Sequence, residues 1–227
     1  MALTKSETLY VRQLPVGPMK NFAYLVGAPQ GRECFVIDAA WDVDAIVAAA
    51  AADERVITAA VVTHHHHDHV NGLPDLLAKR DVPVFVNSIE HAFGRDAFSE
   101  VEGAVKEIEP GGVLSLAGVE VKCLHTPGHT PGSHCLSCGG SVFTGDTLFV
   151  NACGRCDFEG SDVKAMHRSL FDVLGGLNSE TVVFPGHDYG DVKVSSIGRE
   201  KQRNPYFQHR SLEAFIRHRL PNFKATP

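Results

Sequence analysis

Six consecutive side chains, His64-His65-His66-His67-Asp68-His69, are imidazoles or carboxylates. They begin one residue after the apolar segment Ile57-Thr58-Ala59-Ala60-Val61-Val62. That segment has the length and composition of a buried strand, so the polar run starts where the strand stops. Neutral imidazole is the commonest protein metal ligand. A short loop of His and Asp at a strand end can place several donors around one or two ions. Four histidines in a row also occur in expression tags, but tags sit at termini and this run is internal.

The rest of the chain bounds what such a site can serve. Its 227 residues suffice for one large domain with a sizeable core. The formal net charge is −6 and no basic stripe appears, so nucleic acid is not an expected partner. No stretch approaches the ~18 apolar residues needed to span a bilayer. The first residues, Met1-Ala2-Leu3-Thr4-Lys5-Ser6-Glu7, carry no apolar core of a signal peptide. No membrane association is expected, and the cytoplasm is the expected location.

Six cysteines include two CxxC pairs, Cys135/Cys138 and Cys153/Cys156, with fourteen residues between the pairs. The spacing is close to that of a zinc ribbon. Residues 133–138 read as a strand, however, where side chains three apart face opposite ways, so Cys135 and Cys138 are poorly placed to share an ion. Neither pair has an evident helix N-terminus to lower a thiol pKa. All six are expected to be buried thiols.

Along the chain, strands are predicted at 9–14, 22–26, 34–37, 56–62, 82–86, 113–116, 119–124, 133–138, 141–144 and 181–184. Helices are predicted at 42–52, 73–79 and 161–174, with 88–108 irregular apart from short helices, and a polar helical segment from about residue 195. Strand clusters and helices alternate in each half, which fits helices outside two packed sheets better than a doubly wound sheet. No glycine-rich phosphate loop is present. Four further polar loops follow predicted strands: Thr126-Pro-Gly-His129-Thr130, Thr144-Gly-Asp146-Thr147, Cys153-Gly-Arg155-Cys-Asp157 and Pro185-Gly-His187-Asp188-Tyr189-Gly190. Each sets a His or charged residue beside a glycine turn, and such loops gathered at one sheet edge build sites.

Taken together, His64-x-His66-x-Asp68-His69, then His129, Asp146 and His187, resembles the metallo-β-lactamase superfamily over about residues 20–190. The resemblance implies an αββα sandwich, an α+β fold of two mixed sheets face to face with helices outside, as a single domain over 1–227. It implies that His64, His66 and His129 hold one divalent metal ion, that Asp68, His69 and His187 hold a second, and that Asp146 bridges them. Zinc, iron and manganese all suit such donors. Asp68 is then also the proton acceptor in catalysis. His65 and His67 fall at the x positions, outside the ligand set, and His134 is placed to line the site.

Within the superfamily, the flanking residues are similar to the glyoxalase II, or hydroxyacylglutathione hydrolase, branch in its short bacterial form. These include His69-Val-Asn-Gly72, Thr130-Pro-Gly-Ser133, Phe143-Thr-Gly-Asp146-Thr147-Leu-Phe149 and Ser196-Ile-Gly-Arg-Glu200. That likeness implies hydrolysis of a glutathione thioester. The stretches Arg155-Cys-Asp157-Phe158 and His187-Asp-Tyr189 also resemble persulfide dioxygenases. In those, one non-heme Fe(II) is held by the counterparts of His64, His129 and Asp146. That alternative implies glutathione contacts from Arg155 and Tyr189, although Arg155 could equally form a structural ion pair with Asp157.

Overall fold

The structure, a computed structural model, describes the backbone of residues 3–6 and all of residues 9–220. The extreme ends of the expected 1–227 domain lie outside these described residues.

Seven strands form the first sheet in chain order: β1 (Leu3–Ser6), β2 (Leu9–Val16), β3 (Asn21–Gly27), β4 (Glu33–Ile37), β5 (Val56–Val61), β6 (Val84–Asn87) and β7 (Val105–Ile108). The first four pair antiparallel, and β4 to β7 pair parallel. The second sheet repeats the scheme. Strands β8 (Val113–Leu116), β9 (Val119–His125), β10 (His134–Cys138) and β11 (Ser141–Gly145) form an antiparallel meander. A short hairpin follows, β12 (Leu148–Phe149) with β13 (Ala152–Cys153). Strand β14 (Val182–Pro185) then pairs parallel with β11, and β15 (Ser195–Ser196) closes that edge. The helices are α1 (Val43–Ala52), α2 (His67–Val70), α3 (Leu73–Lys79), α4 (Ser88–Phe93), α5 (Val163–Arg168), α6 (Ile197–Arg203), α7 (Pro205–Gln208) and α8 (Leu212–Arg219).

Three apolar layers show why this sequence makes a sandwich. Strand β3 is buried on both faces. Phe22, Tyr24 and Val26 point into the space between the sheets, whereas Ala23 and Leu25 point to the outer layer with Ile46 of α1 and Leu76 of α3. The period of two is what a strand imposes. The inter-sheet layer adds Phe35, Val61, Leu136, Phe143 and Phe184, with the Phe143 and Phe184 rings stacked 4.9 Å apart. Behind the second sheet, Val142 and Val183 meet Met166, Ile197, Phe207 and Phe215 of the later helices. The arrangement is the expected αββα sandwich.

Several boundaries differ from the sequence expectation. The strand expected at 82–86 begins at Val84, and the irregular stretch 88–108 contains α4, two 3-10 turns and the parallel strand β7. The helix expected at 161–174 is capped by Asp162 and is α-helical only to Arg168. It continues as a π turn over Ser169–Val173 and a 3-10 turn to Gly176. The His run is not wholly a loop, since α2 starts at His67. Cys135 packs in the helix-covered layer and Cys138 between the sheets, on opposite faces of β10 as the alternation requires. Every cysteine is a buried free thiol. Among the described residues no helix is long and apolar enough to cross a membrane.

Candidate metal centre

Parallel pairing puts the carboxyl ends of β4, β5, β6, β11 and β14 at one edge of the sandwich. At or just beyond those ends stand Asp38, the run from His64, Asn87 with α4, Asp146, and His187. An antiparallel bridge between Asn21 and His187, and a bond from Phe22 N to the Gly186 carbonyl at 2.8 Å, tie the two sheets together there. Glycines permit the close approach. A Cβ on Gly145, whose φ is +45°, would meet the Thr63 hydroxyl at 2.6 Å, and a Cβ on Gly186 would meet Asp146 Oδ1 at 2.6 Å.

All seven expected ligand residues converge. His64, His66 and His129 offer ligand atoms within 4.8 Å of one another, as do Asp68, His69 and His187, and as do His64, His69 and Asp146. Asp146 divides its oxygens between the two triads. Oδ1 lies 3.3 Å from both His69 Nε2 and His187 Nε2, and Oδ2 lies 3.5 Å from His129 Nε2.

The outward ring nitrogens are fixed by acceptors. His69 Nδ1 donates to Asp38 Oδ2 at 2.9 Å, His129 Nδ1 to the Arg155 carbonyl at 2.8 Å, and His187 Nδ1 to the Met19 carbonyl at 3.0 Å. The Thr63 hydroxyl gives its hydrogen to Asp38 and so accepts from His64 Nδ1 at 3.1 Å. These bonds leave the Nε2 lone pairs turned inward, which is how partners around a site orient ligating imidazoles. His69 Nε2 and His187 Nε2 stand 3.2 Å apart, each also 3.3 Å from Asp146 Oδ1. His64 Nε2 and Asp146 Oδ1 are buried without a hydrogen-bond partner. Imidazole nitrogens and carboxylate oxygens gathered this closely fit divalent metal ions.

The titration shifts agree. Burial and its imidazole neighbours hold His64 well below the ordinary histidine value and push His66 down to about 4, keeping both neutral as ligands must be. Burial also opposes charge on His69, but Asp146 and Asp38 outweigh it and hold His69 well above its ordinary value. Burial would raise Asp146, yet His69 and His187 keep its carboxyl well below the usual range. Without metal, the carboxylates around His69 favour its protonated form.

Some supporting residues escaped the sequence reading. Asp38 accepts from Thr63 N, the Thr63 hydroxyl and His69. Asn21, oriented by the Trp41 indole at 3.3 Å, donates to Asp68 Oδ2 at 2.8 Å. Glu90 binds His65. Asp38 carries the same signal as the recognised loops, a polar residue directly after an apolar strand. Asn21 and Glu90 carry none. Of the x positions, His67 is exposed against Trp41, and His65 is turned to Glu90. His134 lies buried behind the run, outside the three donor groups, with neither ring nitrogen partnered.

Tyr189 and Arg155 flank the cluster on different sides. Tyr189 is half exposed, stacks on His187 at 4.6 Å and donates its hydroxyl hydrogen to the Met19 carbonyl. Arg155 makes a two-point ion pair with Asp157 and lies over Phe158. Phe158 in turn packs on His66 and His129.

Comparison with known proteins accords with this geometry. Residues 16–187 match the family model described as the metallo-beta-lactamase superfamily. The chain belongs to that superfamily. It is 30% identical over 199 residues to PksB of Bacillus subtilis, described as a probable polyketide biosynthesis zinc-dependent hydrolase, covering 88% of this chain and 87% of that one. The crystal structure of ETHE1 from Myxococcus xanthus is similar with a TM-score of 0.80 and 30% identity, over 95% of this chain and 92% of that one. TTHA1623, solved in a di-iron-bound form, is similar with a TM-score of 0.73 and 31% identity, over 86% of this chain and all of that one.

Proposed function

We propose that the protein is a metal-dependent thioester hydrolase acting on a glutathione thioester, with His64, His66 and His129 holding one divalent ion, Asp68, His69 and His187 a second, and Asp146 between them. The observation that carries this reading is the division of Asp146, one oxygen on each triad. Bound there, two ions supply a lowered water pKa, from 15.7 towards ~7, and polarisation of a carbonyl oxygen.

The chain's own residues do the rest. Asp68, held by Asn21 and close to His69 and His187, accepts the proton of the attacking water. The departing thiolate comes from a thiol of pKa about 8.5 and needs no dedicated acid. An amide would need one, which favours thioesters over β-lactams. Tyr189 beside His187 and Arg155 beside Phe158 flank the cluster, and they are assigned to hold the glutathione portion across it.

A second reading is favoured by one observation: His64 Nε2 is unpartnered, and Asp146 Oδ2 faces His129 Nε2. Two imidazoles and one carboxylate with open positions suit a single Fe(II), and the substrate would then be glutathione persulfide. The test is metal content after purification without added metal, with thiol release from S-lactoylglutathione. Two metals and thiol release support the hydrolase. One iron per chain, with oxygen uptake on glutathione persulfide, overturns it.

A further inference from the structure

Two fully buried carboxylates, Glu90 and Glu200, belong to neither triad, and only Glu90 binds the loops of the site. Glu90 lies in the first turn of α4, which the Asn87 side chain caps directly after β6 by accepting from Ile89 N and Glu90 N. Its solvent exposure is 0%. A charge so placed is costly unless every lone pair is used. Glu90 uses both oxygens twice. Oε1 accepts from His65 N at 2.7 Å and from His65 Nδ1 at 2.5 Å. Oε2 accepts from the Thr130 hydroxyl at 2.7 Å and from Gly132 N at 2.9 Å. The approach at Gly132 is close enough that a Cβ there would fall 2.2 Å from Glu90 N.

The placement of these partners matters. His65 stands between His64 and His66, and Thr130 follows His129. The loops that Glu90 joins therefore carry all three imidazoles of the first triad. None of its bonds reaches Asp68, His69 or His187, whose supports are Asn21, Asp38 and the Met19 carbonyl. Burial alone would raise the Glu90 carboxyl, but the bonds from His65 and Thr130 hold it below its ordinary value, so it remains an ionised acceptor for four donors.

We infer that Glu90 is a positioning residue that fixes the spacing of the first triad alone, by clamping the His65 and Thr130–Gly132 backbones together from behind the metal ligands. The inference rests on the two-triad reading of the site and does not depend on the substrate. It also gives the x-position His65 a reason to be histidine, since its ring and its backbone N–H grip the same oxygen.

The test is Co(II) titration of metal-free protein, followed by calorimetry and by the cobalt absorption spectrum. Wild type should bind two ions per chain, and His187→Ala should retain only the step that belongs to the first triad. Glu90→Gln turns an amide N–H2 towards donors on one side while keeping the side-chain size. It should weaken that same step by about 10–100-fold, the usual cost of losing a ligand's outer partner. The other step should stay within about twofold, and the spectrum of the remaining site should be unchanged. If Glu90→Gln does not fold, Thr130→Val removes one of the four bonds and should weaken the same step selectively. Equal weakening of both steps, or no weakening, overturns the inference. Saturation of wild type at one ion overturns the two-triad reading itself, a result distinguishable from two tight steps that Glu90→Gln leaves intact.

Discussion

The two triads of this site are built from similar donors but held by different means. His64 and His66 stand at the open end of β5 and meet His129 from a separate loop. His69 and His187 are drawn together across the sandwich by the inter-sheet bridge at Asn21. In the first triad burial holds His64 and His66 below the ordinary histidine value, and Phe158 lies against the rings of His66 and His129. In the second, burial opposes charge on His69, but Asp146 and Asp38 outweigh it and raise its pKa. The contrast teaches that one edge can set histidines biased to neutrality, His64 and His66, beside one biased towards its charged form, His69.

The largest expected effect is at the residue shared by both. Asp146→Ala should abolish tight binding at both triads, with a loss well above the ~10–100-fold cost of an outer partner. Retention of two tightly bound metals by this variant, measured by elemental analysis, would break the comparison at its centre. Asp38→Asn should act more on the second triad, whose His69 it binds directly, than on the first, which it reaches only through Thr63 and His64. Asparagine tolerates the positive φ of +52° at this position, so the change reports the charge and acceptor on His69 rather than backbone strain. A loss of about 10–100-fold in the affinity of the second-triad step is expected. The first-triad step should weaken less, through Thr63 alone, and an equal or larger effect there would show that direct contact with Asp38 does not decide which triad it supports.

A smaller effect is expected at the x position. His65→Ala removes the ring bond to Glu90 but keeps the backbone bond from the same residue. Its loss of metal affinity should be measurable and clearly below that of His66→Ala. A loss as large as for His66→Ala would mean that the ligands in the run are wrongly chosen.

The smallest concerns α4, which carries Glu90. On the same helix His91 meets Glu107 of β7 at 2.7 Å and Glu102 at 2.9 Å. Burial opposes its charge, but the two carboxylates win and raise its pKa above the ordinary 6.5. A raised histidine contributes stability that is complete below the unfolded pKa and is lost as pH rises through the folded value. The melting temperature of His91→Gln should therefore fall below wild type most at pH 6, with the gap narrowing towards pH 9. A gap that widens with pH would reverse the sign of this contribution.

How much of this could be read beforehand depended on whether a signal was local. The His run, the strand-end loops of His129, Asp146 and His187, and the split of Cys135 and Cys138 across β10 each follow from a short pattern. The unbroken apolar run 22–26 in β3 likewise announces burial on both faces. Glu90 had no such signal, because it lies in a stretch without clear periodicity and gains meaning only when β6 and the His129 loop pack against each other. Asn21 acts across forty-seven residues on Asp68. The helix expected at 161–174 has a helical apolar pattern throughout, but a pattern does not distinguish an α turn from the π turn that ends it.

The central claim is that the edge holds two ions, one per triad, around Asp146. Elemental analysis of wild-type protein saturated with Zn(II) or Co(II) and freed of excess tests it directly. Two ions per chain in wild type and one in His187→Ala is the expected result. A single ion per chain in wild type, unchanged by His187→Ala, would contradict it.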